Sequence, residues 1–327
     1  MKRLLNFSTH SCDLELFEND WSRAAAFLDE WGFDAFELYP VAEYDFMQIP
    51  PELIQGLHLR FFVILRQLWQ GDTRQLLEIF GSQETVKRFY GGFDRQCIVD
   101  VYTRQFELAE QLGCHYVVFH PVHCELQYVF DWKFPWHWRE TLDLCSEILN
   151  ESLARSRFSG WLLFENLWWP GSFRLEDREE YDYLRERVNY QRCGIVLDTG
   201  HLLNSAGGVD NEADAIRHLL TRVKDLGSLR REIRAVHLNC NLSRAYIQKS
   251  RANPPLLTGD FWAKLQTARA HVSKIDSHEP FNDPEIGKLF DLIEPEQVVF
   301  EFTFRGMSQW QSKIGRQKQA LEKYLWR

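Results

Sequence analysis

No run of roughly 18 consecutive apolar residues occurs anywhere in the chain, so no segment is expected to cross a membrane as a helix. Cys-x-x-Cys pairs are also missing. The seven cysteines are odd in number and scattered over the whole length, which argues against a disulfide framework and for reduced thiols in a cytoplasmic protein. Cys114, Cys193 and Cys240 are expected to be packing residues. Positive charge is in deficit: 38 Lys and Arg stand against 47 Asp and Glu, a formal net charge of -9. No global pull toward phosphate backbones or anionic membranes follows, and the partner expected is a small-molecule substrate rather than nucleic acid. The opening MKRLLNFSTHSC has too brief an apolar stretch to serve as a secretion signal. Internal repeats and low-complexity linkers are lacking too, so residues 1–327 are expected to form one domain. What the chain has in plenty is aromatic side chains, with 12 Trp and 24 Phe.

Five short apolar runs each stop on a side chain able to bind a metal: VVFH at His120, WLLFE at Glu165, GIVLD at Asp198, AVHL at His237 and VVFE at Glu301. Such runs, β-branched or aromatic and bounded by turn residues, read as buried parallel strands with a polar group at the C-terminal tip. Strands are expected over Leu4–Ser8, Phe33–Tyr39, Leu57–Val63, His115–His120, Trp161–Glu165, Gly194–Asp198, Ile233–Leu238 and Val298–Phe302. Helical periodicity lies between them, over Trp21–Trp31, Val101–Leu112, Trp138–Leu153 and about Ser308–Leu325, whereas the long stretch from Val63 to Gly92 is neither clearly repetitive nor low in complexity and carries no assigned element. Alternating β and α elements with eight strands predict a (β/α)8 TIM barrel with long βα loops, whose chemistry sits where the strands end.

His58, His120, His201, His237 and His278 supply imidazole at that rim, and Glu165, Asp198, Asp276 and Glu301 supply carboxylate. This mixed nitrogen and oxygen set suits divalent first-row ions, zinc or manganese first, one to three per chain. Asp198 ends a strand and His201 opens the next turn, so both can face the mouth. Asp276 and His278 alternate, and on extended backbone they would share a side and clamp one ion.

These phrases resemble the xylose isomerase-like barrel superfamily, which includes sugar isomerases, epimerases, dehydratases and endonuclease IV. The resemblance is carried by His58-Leu59-Arg60-Phe61, Phe119-His120-Pro121, Glu165-Asn166, Asp198-Thr199-Gly200-His201, His237-Leu238-Asn239, Asp276-Ser277-His278 and Glu301. It implies a three-metal site held by His58, His120, Glu165, Asp198, His201, His237, Asp276, His278 and Glu301. Sugar-isomerising relatives keep the Glu165, Asp198, His237 and Glu301 subset. Cys240 stands where the superfamily phrase continues with Asp, a long insertion separates it from Asp276, and Phe281-Asn282-Asp283-Pro284 replaces the usual Gly-Glu-Gly. Abasic-site cleavage is therefore not carried over with the metal set.

Two chemistries fit. In metal-assisted hydrolysis, ions bridged by Glu165 activate water against a phosphoester or amide, in a substrate that can be as bulky as a corrinoid. In the alternative, a sugar or sugar-phosphate isomerase or epimerase, Glu165 and Glu301 act as acid and base on a metal-chelated keto sugar. The surplus of histidines over the isomerase subset tips the expectation toward hydrolysis. A catalytically silent binding barrel would lack some of the carboxylates. Trp136 and Trp168, in loops after the fourth and fifth strands, are expected to form an aromatic wall against the substrate, with Arg60 and Arg305 holding a phosphate or carboxylate.

Overall fold

Every apolar run becomes one stave of a closed parallel barrel. In the computed structural model, which describes residues 1–41 and 44–326, the strands are β1 (Lys2–Ser8), β2 (Ala35–Tyr39), β3 (Ile54–His58), β4 (Tyr116–Phe119), β5 (Trp161–Glu165), β6 (Cys193–Asp198), β7 (Ile233–Leu238) and β8 (Gln297–Phe300). They pair in chain order, and β1 closes on β8. After β1 come α1 (Ser11–Leu14) and α2 (Trp21–Trp31). After β3 come α3 (Arg66–Gln70), α4 (Thr73–Phe80), α5 (Gln83–Tyr90) and α6 (Gln96–Gln111). Strand β4 leads to α7 (Tyr128–Asp131) and α8 (Trp138–Leu153), β5 to α9 (Arg178–Arg187), and β6 to α10 (Thr199–Ser205) and α11 (Glu212–Asp225). Between β7 and β8 lie α12 (Arg244–Ala252), α13 (Phe261–Ile275) and α14 (Lys288–Ile293), and α15 (Met307–Leu325) follows β8.

The strand alternation places the candidate site. Leu4, Ala35, Tyr116, Val118, Leu163, Val196, Ala235 and Val299 form a buried cluster of their own, the packed interior of the barrel. Because strand side chains alternate with period two, a residue two positions further on points inward again, one layer higher. Those positions include Glu37, His120, Glu165, Asp198, His237 and Glu301. The upper layer of the barrel interior is therefore polar where the layer beneath it is apolar.

Three expectations about the elements need correction. The third strand spans Ile54–His58, not Leu57–Val63; it pairs with β4 through Gly56, Leu57 and His58. The apolar run continues past His58 because Leu59, Phe62, Ile64 and Leu65 are buried beneath the following helices. Burial, not β structure, explains their character. The stretch leading to Gly92 is α3, α4 and α5, with Asp72 and Ser82 capping the latter two by accepting the Gln75 and Thr85 backbone N–H groups; each helix is too short to show its period clearly. Strand β8 ends at Phe300, so Glu301 stands just past it.

The insertion between β7 and β8 roofs part of the mouth. Its helix α13 packs Phe261 against Phe80 at 4.2 Å and against Phe89 at 5.3 Å, and His271 Nε2 lies 3.1 Å from the Val129 carbonyl. An element sent out from β7 thus docks on the loops that follow β3 and β4.

Gly56 lies in the layer under His58, where a Cβ would fall 2.3 Å from the Tyr116 ring. The missing side chain lets that ring lie across the barrel, where its hydroxyl donates to Glu37 Oε2 at 2.6 Å. Gly56→Ala overpacks this layer and is expected to cost about 1–3 kcal/mol, read as a lowered urea midpoint at unchanged slope. A wild-type midpoint would show that the ring moves aside freely.

Candidate metal centre

Glu165 stands at the centre of the polar layer. Its Oε1 lies 3.1 Å from His120 Nε2 and 3.2 Å from His201 Nδ1, and its Oε2 lies 3.6 Å from His58 Nε2 and 3.2 Å from His237 Nδ1. Yet neither oxygen, fully buried, has a hydrogen-bond partner of proper geometry, and the same holds for His237 Nδ1 and His278 Nε2. Close polar atoms that miss each other's axes are what donors aimed at a common point produce. The side chains fall into three groups with ligating atoms mutually within 4.8 Å: His58, His120 and Glu165; Glu165, Asp198 and His237; Asp198, His201 and His278. Glu165 and Asp198 are each shared by two groups.

Neighbouring contacts set which nitrogen of each ring faces inward. His58 Nδ1 sits 3.2 Å from the Leu59 carbonyl and directs Nε2 to Glu165. His201 Nδ1 lies 2.8 Å from the Asn166 carbonyl while its Nε2 faces Asp276 Oδ2 at 3.3 Å. His237 Nε2 donates to Glu37 Oε2 at 3.1 Å, which leaves Nδ1 facing Glu165 and, at 3.3 Å, Glu301. A carboxylate behind the imidazole in this way fixes its tautomer and raises its basicity.

Asp198 is both strand end and helix cap: its Oδ1 accepts the His201 backbone N–H at 2.6 Å and its Oδ2 accepts from Asn239 Nδ2 at 2.9 Å. Between them, at Gly200, a Cβ would meet Asn239 Oδ1 at 1.8 Å and Asn241 Nδ2 at 2.3 Å. Only glycine admits both amides. Asn241 in turn holds the Asp276-Ser277-His278 turn, donating to Asp276 Oδ1 at 2.7 Å and accepting the backbone N–H groups of Ser277 and His278. Asp276 and His278 do meet, Nε2 to Oδ2 at 2.9 Å, but not on extended backbone: His278 has φ 48° and Asp276 is the residue that closes α13.

The electrostatics suit a cation. Burial raises the Glu165 pKa, but the charges of His120 and His237 outweigh it and hold the carboxyl well below its usual range. For His237 burial favours the neutral ring, and Glu37, Glu301 and Glu165 together push its pKa well up. Asp198 is forced up to about 8 by burial and by the carboxylates of Glu301, Glu165 and Asp276, with His201 opposing. Protons can neutralise this many converging carboxylates only in part. The buried orphan atoms, the set of nitrogen and oxygen donors and the clustered negative charge all fit divalent ions.

A model of the xylose isomerase-like TIM barrel matches residues 25–308. The chain belongs to that family. No curated protein matches it by sequence. Among solved structures that share this family's fold, endonuclease IV from Thermus thermophilus has a TM-score of 0.56 at 16% identity, covering 99% of this chain and 100% of that one. A D-tagatose 3-epimerase-like protein gives 0.54 at 16% identity, covering 99% and 97%, and the IolI protein with a bound zinc atom gives 0.55 at 13%, covering 99% of each.

The remaining expected site residues divide. Arg60 donates from Nη2 to the Phe89 carbonyl at 2.9 Å, lies over the Phe62 ring and lines a cavity at the mouth. Trp168 is buried with its ring 4.8 Å from that of His201, so it packs directly on a residue of the site. Trp136 is buried against His123, Tyr128 and Phe134, packing one loop on another, and does not line the mouth. Arg305 is exposed beyond β8 and away from that cavity. Glu37, Asn239 and Asn241 have no role in the strand-tip pattern. A signal for Glu37 does exist: it is a carboxylate inside the apolar strand AFELY, which buries it only if something pairs with it.

Proposed function

We propose that the protein is a metal-dependent hydrolase of a small organic substrate, with more than one divalent ion held by His58, His120, Glu165, Asp198, His201, His237, Asp276, His278 and Glu301. The observation that carries this is the sharing of Glu165 between two groups of ligating atoms, since a bridging carboxylate serves a site with several ions and is superfluous in a site with one. Zinc or manganese suits the donors. Such ions, when bound, would supply Lewis-acid polarisation of the scissile phosphoryl or amide oxygen and would lower the pKa of water so that hydroxide is available near neutral pH. The chain's own part is to fix the ligands. The Asn166 amide joins the tips of β5 and β6 through the Asp198 backbone, Asn241 holds the Asp276 turn, and the Trp168 ring shields His201 from water. The roof formed by α13 supports a small substrate over a nucleic-acid duplex, which needs an open groove.

Epimerisation is the second reading. Glu165 and Glu301 lie 3.2 and 3.3 Å from the same His237 nitrogen, a pair of carboxylates close enough to pass a proton across one bound substrate. The number of ions separates the two. Metal analysis of gently purified protein, with anomalous scattering to place each ion, is expected to find at least two per chain; a single ion in the Glu165, Asp198, His237 and Glu301 group would favour the epimerase.

Metal uptake should also release protons. Burial favours neutral His278, yet Asp276 and Glu301 raise its pKa to about 9, and His201 is raised as well by Asp198 and Asp276. Raised histidine pKa values mean that protons occupy the nitrogens at neutral pH, so apparent zinc affinity should climb as pH rises toward about 9 and fall as it drops. Calorimetry in two buffers of different ionisation enthalpy reads the release directly. Equal heats in both buffers would contradict it.

A further inference from the structure

Beside the metal centre, above β2, β3 and β4, lies a cavity of about 860 Å³. That volume is in the range of about 300–1,000 Å³ that holds a drug-sized ligand. It is closed on one side by α6 and on the other by α13, the roofing helix. Its aromatic floor rests on the metal-binding residues: the Tyr39 ring is 5.7 Å from that of His58, Phe61 is 4.5 Å from His120, and Trp169 touches Trp168, which covers His201.

Three arginines line this largely aromatic and aliphatic space, with Gln105 and Gln111 beside them. Arg60 comes from the turn after β3, Arg104 from α6 and Arg269 from α13. Arg60 spends one nitrogen on the Phe89 carbonyl. Among the described residues Arg104 and Arg269 make no ion pair and no side-chain hydrogen bond. Arg60 and Arg269 both bear on the Tyr39 hydroxyl, opposing the upward push of burial on its pKa. Two carboxylates also reach the lining. Asp45 is engaged by the Met47 N–H and the Gln48 amide, and Glu107 is exposed and not paired with Arg104. In a chain of net charge -9, a deep aromatic cavity rimmed by unpaired guanidinium groups is a local reversal of sign.

We infer that this cavity binds an aromatic or polycyclic organic anion, its rings on Tyr39, Phe61 and Trp169 and its carboxylate, sulfonate or phosphate between Arg104 and Arg269. Resting on the hydrolase reading, this names the substrate class: the anionic ring system occupies the cavity, and the bond to be broken extends past Tyr39 and Phe61 to the metals. Guanidinium fits such an anion through paired N–H donors, and α13 brings Arg269 over the mouth only because the insertion is long.

The test uses the full-length, metal-loaded protein and two fluorescent probes with closely similar ring systems, 8-anilinonaphthalene-1-sulfonate and the uncharged N-phenyl-1-naphthylamine. The sulfonate is expected to bind saturably at one site per chain. The R104A/R269A double variant should weaken it about tenfold and leave the neutral probe unchanged. Both arginines are exposed, so the fold should stand, which circular dichroism verifies. Val101→Trp, which fills the cavity from α6, should weaken both probes. Sulfonate binding that ignores the loss of both arginines, or probes that ignore Val101→Trp, would overturn the inference. Stripping the metal with a chelator should leave probe affinity within about twofold. A protein that binds the sulfonate but holds no metal would sink the hydrolase proposal alone, and one that holds metal but not the sulfonate would sink this inference alone.

Discussion

Glu165→Gln is expected to empty the metal centre while leaving the barrel folded. Among the described residues the carboxylate is the one group placed within reach of four imidazoles, and it belongs to two of the three ligand groups found there. An amide has nearly the same shape but carries no charge, and it turns an N–H donor toward imidazole nitrogens whose lone pairs need a cation. Zinc affinity should fall by at least about a thousandfold, or about 4 kcal/mol, and activity with it. Stability of the metal-free protein should change little, because the ladder around the barrel does not pass through this side chain. In the metal-free protein His237 keeps Glu37 and Glu301 as counter-charges when Glu165 loses its own, so the thermal midpoint without metal should stay near wild type. Inductively coupled plasma analysis of the variant that finds wild-type metal would refute the central role given to Glu165.

Most of this centre could be read from the chain. His120, Glu165, Asp198 and Glu301 each end or follow an apolar run and His237 stands one residue before the end of its own, and a barrel interior makes such ends converge at one rim. The Asp276 to His278 turn was legible as a pair but not as a geometry. Its side chains meet through a left-handed residue and the amide of Asn241, and spacing encodes neither. The aromatic loops misled in one respect. A tryptophan in a βα loop is equally suited to covering a ligand and to holding two loops together, and Trp136 does the second while Tyr39, Phe61 and Trp169 line the cavity. The hydrophobic pattern places β3 too late along the chain because hydrophobicity reports burial, and Leu59 and Phe62 in the turn after His58 are buried like the strand before it.

Glu37 escapes the strand-tip pattern because it lies inside a strand instead of at a tip, and its partner His237 is 200 residues away in sequence. It links the lower barrel to the candidate metal centre: Gly56 makes room for Tyr116, Tyr116 donates to Glu37, and Glu37 Oε2 accepts from His237 Nε2 at 3.1 Å. Removing the charge with Glu37→Gln should weaken metal binding about 10- to 100-fold, the usual cost of losing a carboxylate behind a ligating histidine. Glu37→Ala should do the same and in addition destabilise the fold, because it strands the Tyr116 hydroxyl and a histidine nitrogen in the core, at about 1–3 kcal/mol for each orphaned group. Tyr116→Phe gives the control. It keeps the His237 contact, so it should lower stability modestly and leave zinc affinity near wild type. The three variants together separate positioning from packing: competition titration with a chromophoric chelator reads affinity, and urea unfolding of the metal-free protein reads stability. If Glu37→Gln holds zinc as tightly as wild type, His237 keeps its orientation by packing alone and the chain of contacts from Gly56 ends at Glu37.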